Sequence, residues 1–164
     1  VNDKKSVDLL QGKKIFITIT LIILLSNCGY TPIFSKTNAN FSIENIEFLG
    51  DRDVKEKINH ALSSYKNKPG KGKKISLILQ NTKNSIIVSK NSKGEAQKYK
   101  IGVQVNMKII LSENKFFEKN IEKSAIYDSV ESKSEEKLIK NKLIEDLSNQ
   151  IAQQIIFEIL KKNK

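Results

Sequence analysis

Over residues 99–111 every second side chain is apolar: Tyr99, Ile101, Val103, Val105, Met107, Ile109 and Leu111. Gly102, Gln104, Asn106 and Lys108, which lie between them, are small or polar. Successive side chains of an extended chain point to opposite faces. A period of two therefore makes this stretch a β-strand with one dry face and one wet face. The alternation predicts that Val103, Val105 and Met107 face a core and that Gln104 and Asn106 do not. A dry face of that length has to be covered by a second layer.

The flanking segments supply that layer. Residues 41–49 are strand-like, with a phase slip near Asn45 that suggests a bulge. Asp53-x-x-Glu56 opens a helix in capping-box fashion, and Val54, Ile58, Ala61, Leu62 and Tyr65 share one helical face. Lys68-Pro-Gly-Lys-Gly72 ends it. A strand follows around Ile75, Leu77 and Leu79, with Ile86, Ile87 and Val88 as its continuation, and residues 91–94 form a turn. Beyond the alternating strand, residues 112–115 turn into another strand with Phe117, Ile121, Ala125 and Tyr127 inward. Ser132-x-x-Glu135 caps a last helix. Its face is lined by Ile139, Leu143, Leu147, Ile151, Ile155 and Ile159 and widened by Ile144, Ala152 and Ile156. Lys161 and Lys162 suit the negative end of its dipole. The order β-α-β-β-β-α predicts an α+β fold: a two-layer sandwich, two helices on one face of a mixed four-stranded sheet. Residues 41–164 form it as a single domain.

Residues 1–27 have the pattern of an export signal. A polar stretch ends in Lys13-Lys14, an apolar run of 11 residues covers 15–25, and Ser26-Asn27-Cys28-Gly29 follows. As a helix the run spans only about 16 Å, half of a hydrocarbon core, too little for a comfortable transmembrane anchor. Leu25-Ser26-Asn27-Cys28 resembles the lipobox of bacterial lipoproteins, with Asn27 where that pattern prefers Gly, Ala or Ser. The resemblance implies a diacylglyceryl thioether on Cys28, cleavage before it and acylation of the new amino terminus. Residues 28–40 then become a lipidated tether. Gly29 in place of the Asp that marks inner-membrane retention implies sorting to the outer membrane. Cys28 is the only cysteine, and lipid on its sulfur accounts for an otherwise unpaired thiol in an exported chain.

The net charge of +11 invites a nucleic-acid partner, but Arg52 is the only arginine. A binder of phosphates and base edges would be expected to use the guanidinium fork more often. Asp and Glu interleave most of the lysines, which reads as solvated surface, so no nucleic-acid partner is expected. One histidine, His60, and one cysteine cannot assemble a zinc site or a Cys-His dyad. Gly70-Lys-Gly-Lys-Lys74 lacks the spacing and the Ser/Thr of a phosphate loop and runs from helix to strand. No acid–base pair is singled out, so neither an enzyme nor a cofactor nor a metal is expected. Two lysine clusters are denser than the rest. One is the helix–strand loop (Lys66, Lys68, Lys71, Lys73, Lys74); the other is the hairpin Lys90, Lys93, Lys98 and Lys100, offset only by Glu95. Both read either as solvated loops or as a contact for anionic lipid phosphates; the hairpin set is the one expected to bind an anionic glycolipid, with the loop set as its control.

Cys28-Gly-Tyr-Thr-Pro-Ile33, Ile46-x-x-x-x-Asp51-Arg52, the long alternating strand with its hairpin partner, and the closing helix carry a resemblance. Together they resemble the LPS-assembly lipoproteins of Gram-negative bacteria (the LptE family), especially the alphaproteobacterial branch. The resemblance implies a helix-on-sheet fold anchored by lipid at the outer membrane and facing the periplasm. Such a protein assists assembly of, and plugs, the β-barrel translocon that delivers lipopolysaccharide to the cell surface. Its implied partners are that barrel, lipopolysaccharide and the membrane. A lipoprotein that activates a periplasmic cell-wall synthase, or serves as auxiliary subunit of a lipid transporter, would share the anchor and the size.

The lipid has a direct check. Intact mass of the membrane-extracted protein should show an acylated chain beginning at Cys28, and Cys28→Ala should release the domain or leave unprocessed precursor. A mature chain that retains residues 1–27 would refute the assignment.

Overall fold

The computed structural model describes residues 40–67, 72–112 and 115–162. Its elements are β1 (Phe41–Gly50), α1 (Arg52–Leu62), a 3₁₀ turn (Ser63–Tyr65), β2 (Lys73–Lys90), β3 (Ala96–Ser112), β4 (Lys115–Asp128) and α2 (Lys133–Lys162). The four strands form one mixed sheet in the order β1-β2-β3-β4. β1 runs parallel to β2, and the other pairs are antiparallel. Both helices cover one face, as the hydrophobic periods require.

The alternating stretch is the spine of the sheet. Ile101, Val103, Val105, Met107 and Ile109 are buried, each at 3% exposure or less, while Gln104 and Asn106 lie on the other face. The register carries the dry face across all four strands. Ile43 pairs with Ile75, Leu79 with Met107, and Val105 with Ile121. From the helical layer Val54, Ile58 and Leu62 of α1 and Ile144, Leu147, Ile151, Ile155 and Ile159 of α2 fill the core. Ile139 and Leu143, nearer the start of α2, are only partly buried against it. The bulge expected in β1 is present as a register slip between Ile43 and Asn45.

Two boundaries differ from the sequence reading. The cap of α1 is Asp51, two residues before Asp53. An Asp51 carboxylate oxygen accepts from the amides of Asp53 (3.0 Å) and Val54 (3.1 Å). Asp53 sits instead in the first turn, and Glu56, the other half of the expected capping box, binds Arg52 at 2.9 Å. The α-helix also ends at Leu62. Its last turn tightens to 3₁₀ geometry through Tyr65, and Lys66 then runs alongside Ile43. Tyr65 stays in the core by stacking on Phe41, ring centroids 5.7 Å apart. The cap of α2 is as expected, with the Glu135 amide 3.4 Å from Ser132 Oγ.

Gly50 closes the β1–α1 connection at φ 109°, a left-handed conformation that favours glycine, and a Cβ there would come within 1.9 Å of the Asn81 carbonyl. At the other edge, the Glu158 side chain on α2 is 4% exposed and accepts from Lys119 of β4 at 2.5 Å and from Gln154 at 3.2 Å. The hydrogen bond from Lys119 holds its carboxyl below the ordinary carboxylate range. This ion pair fastens α2 to the edge strand.

The one-sided sheet predicts unequal sensitivity at neighbouring positions. Val105→Ala should cost roughly 1–3 kcal/mol in chemical denaturation, through lost burial and a cavity. Gln104→Ala should be close to neutral. Equal losses at the two sites would overturn the assignment of faces.

Candidate functional site

Cys28 and the rest of the segment before Asn40 lie outside the described residues, as do Lys68 and Lys71 of the helix–strand loop. The four hairpin lysines are described, and they gather at the far end of the β2–β3 hairpin. Asn91 organises that turn. Its side-chain oxygen accepts from the amides of Lys93 (3.0 Å) and Glu95 (2.9 Å), and its amide nitrogen donates to the Glu95 carboxylate at 2.7 Å. Gly94 takes φ 83°, with open space where a Cβ would stand. A tight, self-bonded turn of this kind presents its lysines from a rigid base.

Lys98 and Lys100 lie on the outer face of β3, away from the helices. Lys100 pairs with Ile86 on one side and Ile126 on the other, and those isoleucines are 53% and 62% exposed. Lys98 lies 3.6 Å from Asp128, both well exposed, an arrangement that contributes at most about 1 kcal/mol. Lys90, Lys93 and Lys100 have no carboxylate partner among the described residues. The outer face of the tip therefore sets ammonium groups beside exposed aliphatic side chains. That is the chemistry of a surface for an anionic amphiphile.

The inner face of the same tip holds a feature the sequence reading missed. Tyr99 and Tyr127 stack at 5.4 Å, and the Lys140 ammonium lies 5.8 Å over the Tyr99 ring. Beside them opens a cleft of about 520 Å³ between the start of α1, β2 and the first turns of α2. Lys83, Lys133, Lys137 and Lys140 line it, with Asp53 and Glu136. Lys83 bridges Asp51 (3.1 Å) and Asp53 (2.6 Å), and its hydrogen bond draws the Asp53 carboxyl below its usual range. Lys140 binds Glu136 at 2.7 Å, which raises the lysine and lowers the glutamate. Lys133 and Lys137 have no ion-pair partner among the described residues. The i, i+4 spacing of Lys133 and Lys137 was legible as a helical stripe, but nothing in one dimension tied it to β2. His60, the lone histidine, is exposed on α1.

No protein-family model matches the chain, and no curated protein does. Solved structures do. The crystal structure of the rare lipoprotein B from Shewanella oneidensis is similar over 73% of this chain and 96% of that one, with TM-score 0.57 and 13% identity. An uncharacterized lipoprotein B from Nitrosomonas europaea covers 72% and 83% at TM-score 0.49 and 14% identity. A minor lipoprotein from Acinetobacter baumannii covers 70% and 92% at TM-score 0.49 and 13% identity. These neighbours are lipoproteins of Gram-negative bacteria. At 13% identity the likeness to the Shewanella protein is one of fold.

The hairpin surface has a direct test. Lys98→Glu with Lys100→Glu should weaken binding of lipopolysaccharide by on the order of 1 kcal/mol per charge at low salt, and by less as salt rises. The melting temperature and circular dichroism should stay nearly unchanged. The same double reversal at Lys55 and Lys142, exposed on the helical layer, should leave binding intact. Equal weakening by both pairs would mean diffuse attraction without a site.

Proposed function

We propose that this chain is a lipoprotein of the Gram-negative outer membrane that assists assembly of, and plugs, the β-barrel translocon delivering lipopolysaccharide to the cell surface. The uncovered face of the sheet carries the reading. Across β2, β3 and β4 it presents aligned rows of polar side chains: Gln80, Asn106 and Asn120, then Thr82, Gln104 and Glu122. The centre of that face, built of amides, a hydroxyl and a carboxylate, offers nothing apolar for burial against lipid. It does match the polar wall of a large barrel, whose lumen is wide enough to hold a plug.

Three further observations support the same reading. The lipobox-like sequence ending at Cys28 supplies the attachment; among the described residues no helix is long and apolar enough to cross a membrane. The fold is similar to that of the Shewanella lipoprotein. The hairpin tip sets lysines beside Ile86 and Ile126, suited to the phosphates and acyl chains of lipopolysaccharide. In this role the protein binds and positions; it makes and breaks no bonds and needs no cofactor.

Affinity purification from detergent-solubilised outer membranes should recover a large β-barrel protein in stoichiometric amounts. Asn106→Arg, placed in the middle of the polar face, should reduce that recovery while the folded domain melts normally. Recovery of a penicillin-binding protein or an inner-membrane transporter instead would overturn the reading in favour of the cell-wall or transporter role.

A further inference from the structure

The end of the sheet opposite the hairpin is more basic than the hairpin. Phe41 pairs with Lys73, so β1 and β2 begin side by side. Ser112 pairs with Lys115, so the β3–β4 connection closes at the same end. Lys162 lies 4.2 Å over the Phe117 ring, so α2 finishes there too. The segment after α1 returns to it as well, the Asn67 amide donating to the Ile43 carbonyl at 3.0 Å. Four separate stretches of chain thereby bring Lys66, Lys73, Lys74, Lys115, Lys161 and Lys162 around one end.

Very little offsets them. Among the described residues the carboxylate at this end is Glu44, 2.9 Å from Lys74. Lys66 donates to the neutral Asn59 side chain. Of the next carboxylates inward, Glu118 and Glu158 are each held by a lysine of their own, Lys108 and Lys119, and Glu47 on β1 stands level with Glu118. The negative end of the α2 dipole offsets about half a charge. Among the described residues six ammonium groups thus face Glu44 at this end, where the hairpin tip has four lysines against Glu95 and Asp128. Phe116 stands among them at 58% exposure, under the Lys108 ammonium. Lysines around an exposed aromatic ring suit the boundary between lipid headgroups and acyl chains.

The amino-terminal segment joins the domain at this same end, where the Lys73 amide donates to the Asn40 carbonyl at 3.2 Å. We propose that in the free lipoprotein, before it occupies a barrel, this end is a docking surface for the anionic headgroups of the leaflet that holds the Cys28 lipid, with the hairpin directed away from it. The proposal rests on the lipid anchor assigned above. Anchoring makes the contact intramolecular, so a weak and salt-sensitive attraction suffices to orient the domain.

The chain has no tryptophan, so a single one reports on one place. Full-length protein carrying Phe116→Trp is reconstituted into vesicles of phosphatidylcholine, with or without phosphatidylglycerol, that contain a lipid spin-labelled at its headgroup. A matching protein carries Ser92→Trp at the hairpin turn. The expected result is strong quenching of Phe116→Trp in the phosphatidylglycerol vesicles only, reversed by high salt, with Ser92→Trp unquenched in both. Adding Lys73→Glu, Lys115→Glu and Lys161→Glu should abolish the quenching. Should that triple variant fail to fold, the salt and lipid dependence of the unreversed protein decides the matter. Equal quenching in the two kinds of vesicle, or quenching at Ser92→Trp in place of Phe116→Trp, overturns the proposal. Intact mass of the same preparation reads the anchor separately. An acylated chain without charge-dependent quenching sinks the docking surface alone, and a chain without acyl groups sinks the anchor together with the docking surface that rests on it.

Discussion

The dry face of β3 has to leave water, and only one layer of helices is available to cover it. Each buried valine or isoleucine contributes roughly 1.5–3 kcal/mol, so the five consecutive inward positions from Ile101 to Ile109 outweigh any local preference along the chain. The helices are also of unequal length. α1, with 11 residues, spans about 16 Å, and α2, with 30, about 45 Å. β2, with 18 residues, extends for nearly 60 Å. α1 therefore covers only the part of the sheet near the start of β1, α2 covers more, and the hairpin overhangs both.

Two features follow from that mismatch. Where α1 begins, α2 is the only helix left above the sheet, and the gap beside it is the lysine-lined cleft. Asp51 and Asp53 at the end of α1 take up Lys83 of β2 and so close one wall of it. Past the cleft, Ile87, beside Tyr99 on the helix side, has no helix to pack against, and Ile86, beside Lys100, lies on the uncovered face; both stay exposed. Their hydrophobic character is why β2 reads as one continuing strand in the sequence. The face opposite the helices is why Ile86 ends up as surface beside the hairpin lysines, and the short helical layer is why Ile87 does.

The repetitive parts of the fold were legible because they are local. Alternation over 99–111, the stripe from Ile144 to Ile159 and the slip at Asn45 each depend on spacing within one element. The cap of α1 was misplaced because Asp51 and Asp53 are both good capping residues in the same pattern. Choosing between them depends on Gly50, whose positive φ sits against Asn81, 31 residues further along the chain. The lysines show the same limit in charge. Those of the hairpin stood out because they crowd into 11 residues of sequence. At the opposite end Lys66, Lys73 and Lys74 stood out as a loop cluster, but Lys115, Lys161 and Lys162 come from distant segments and join them only once β2, β4 and α2 are laid side by side.

If Cys28 carries the proposed lipid, the two basic ends cannot exchange places at the membrane. Thirteen residue steps separate Cys28 from Phe41, a reach of at most about 45 Å for a fully extended chain. From Lys73 to Lys90 the sheet itself is about 56 Å long. A domain standing on its hairpin would hold Phe41 farther from the bilayer than its tether could follow. The domain can stand on the end where β1 begins, or lie along the membrane, but it cannot stand on its tip. Upright, it lifts Lys90, Lys93, Lys98 and Lys100 clear of the leaflet that holds the anchor. In the proposed role, lipopolysaccharide held at those lysines stays out of that leaflet on its way to the barrel.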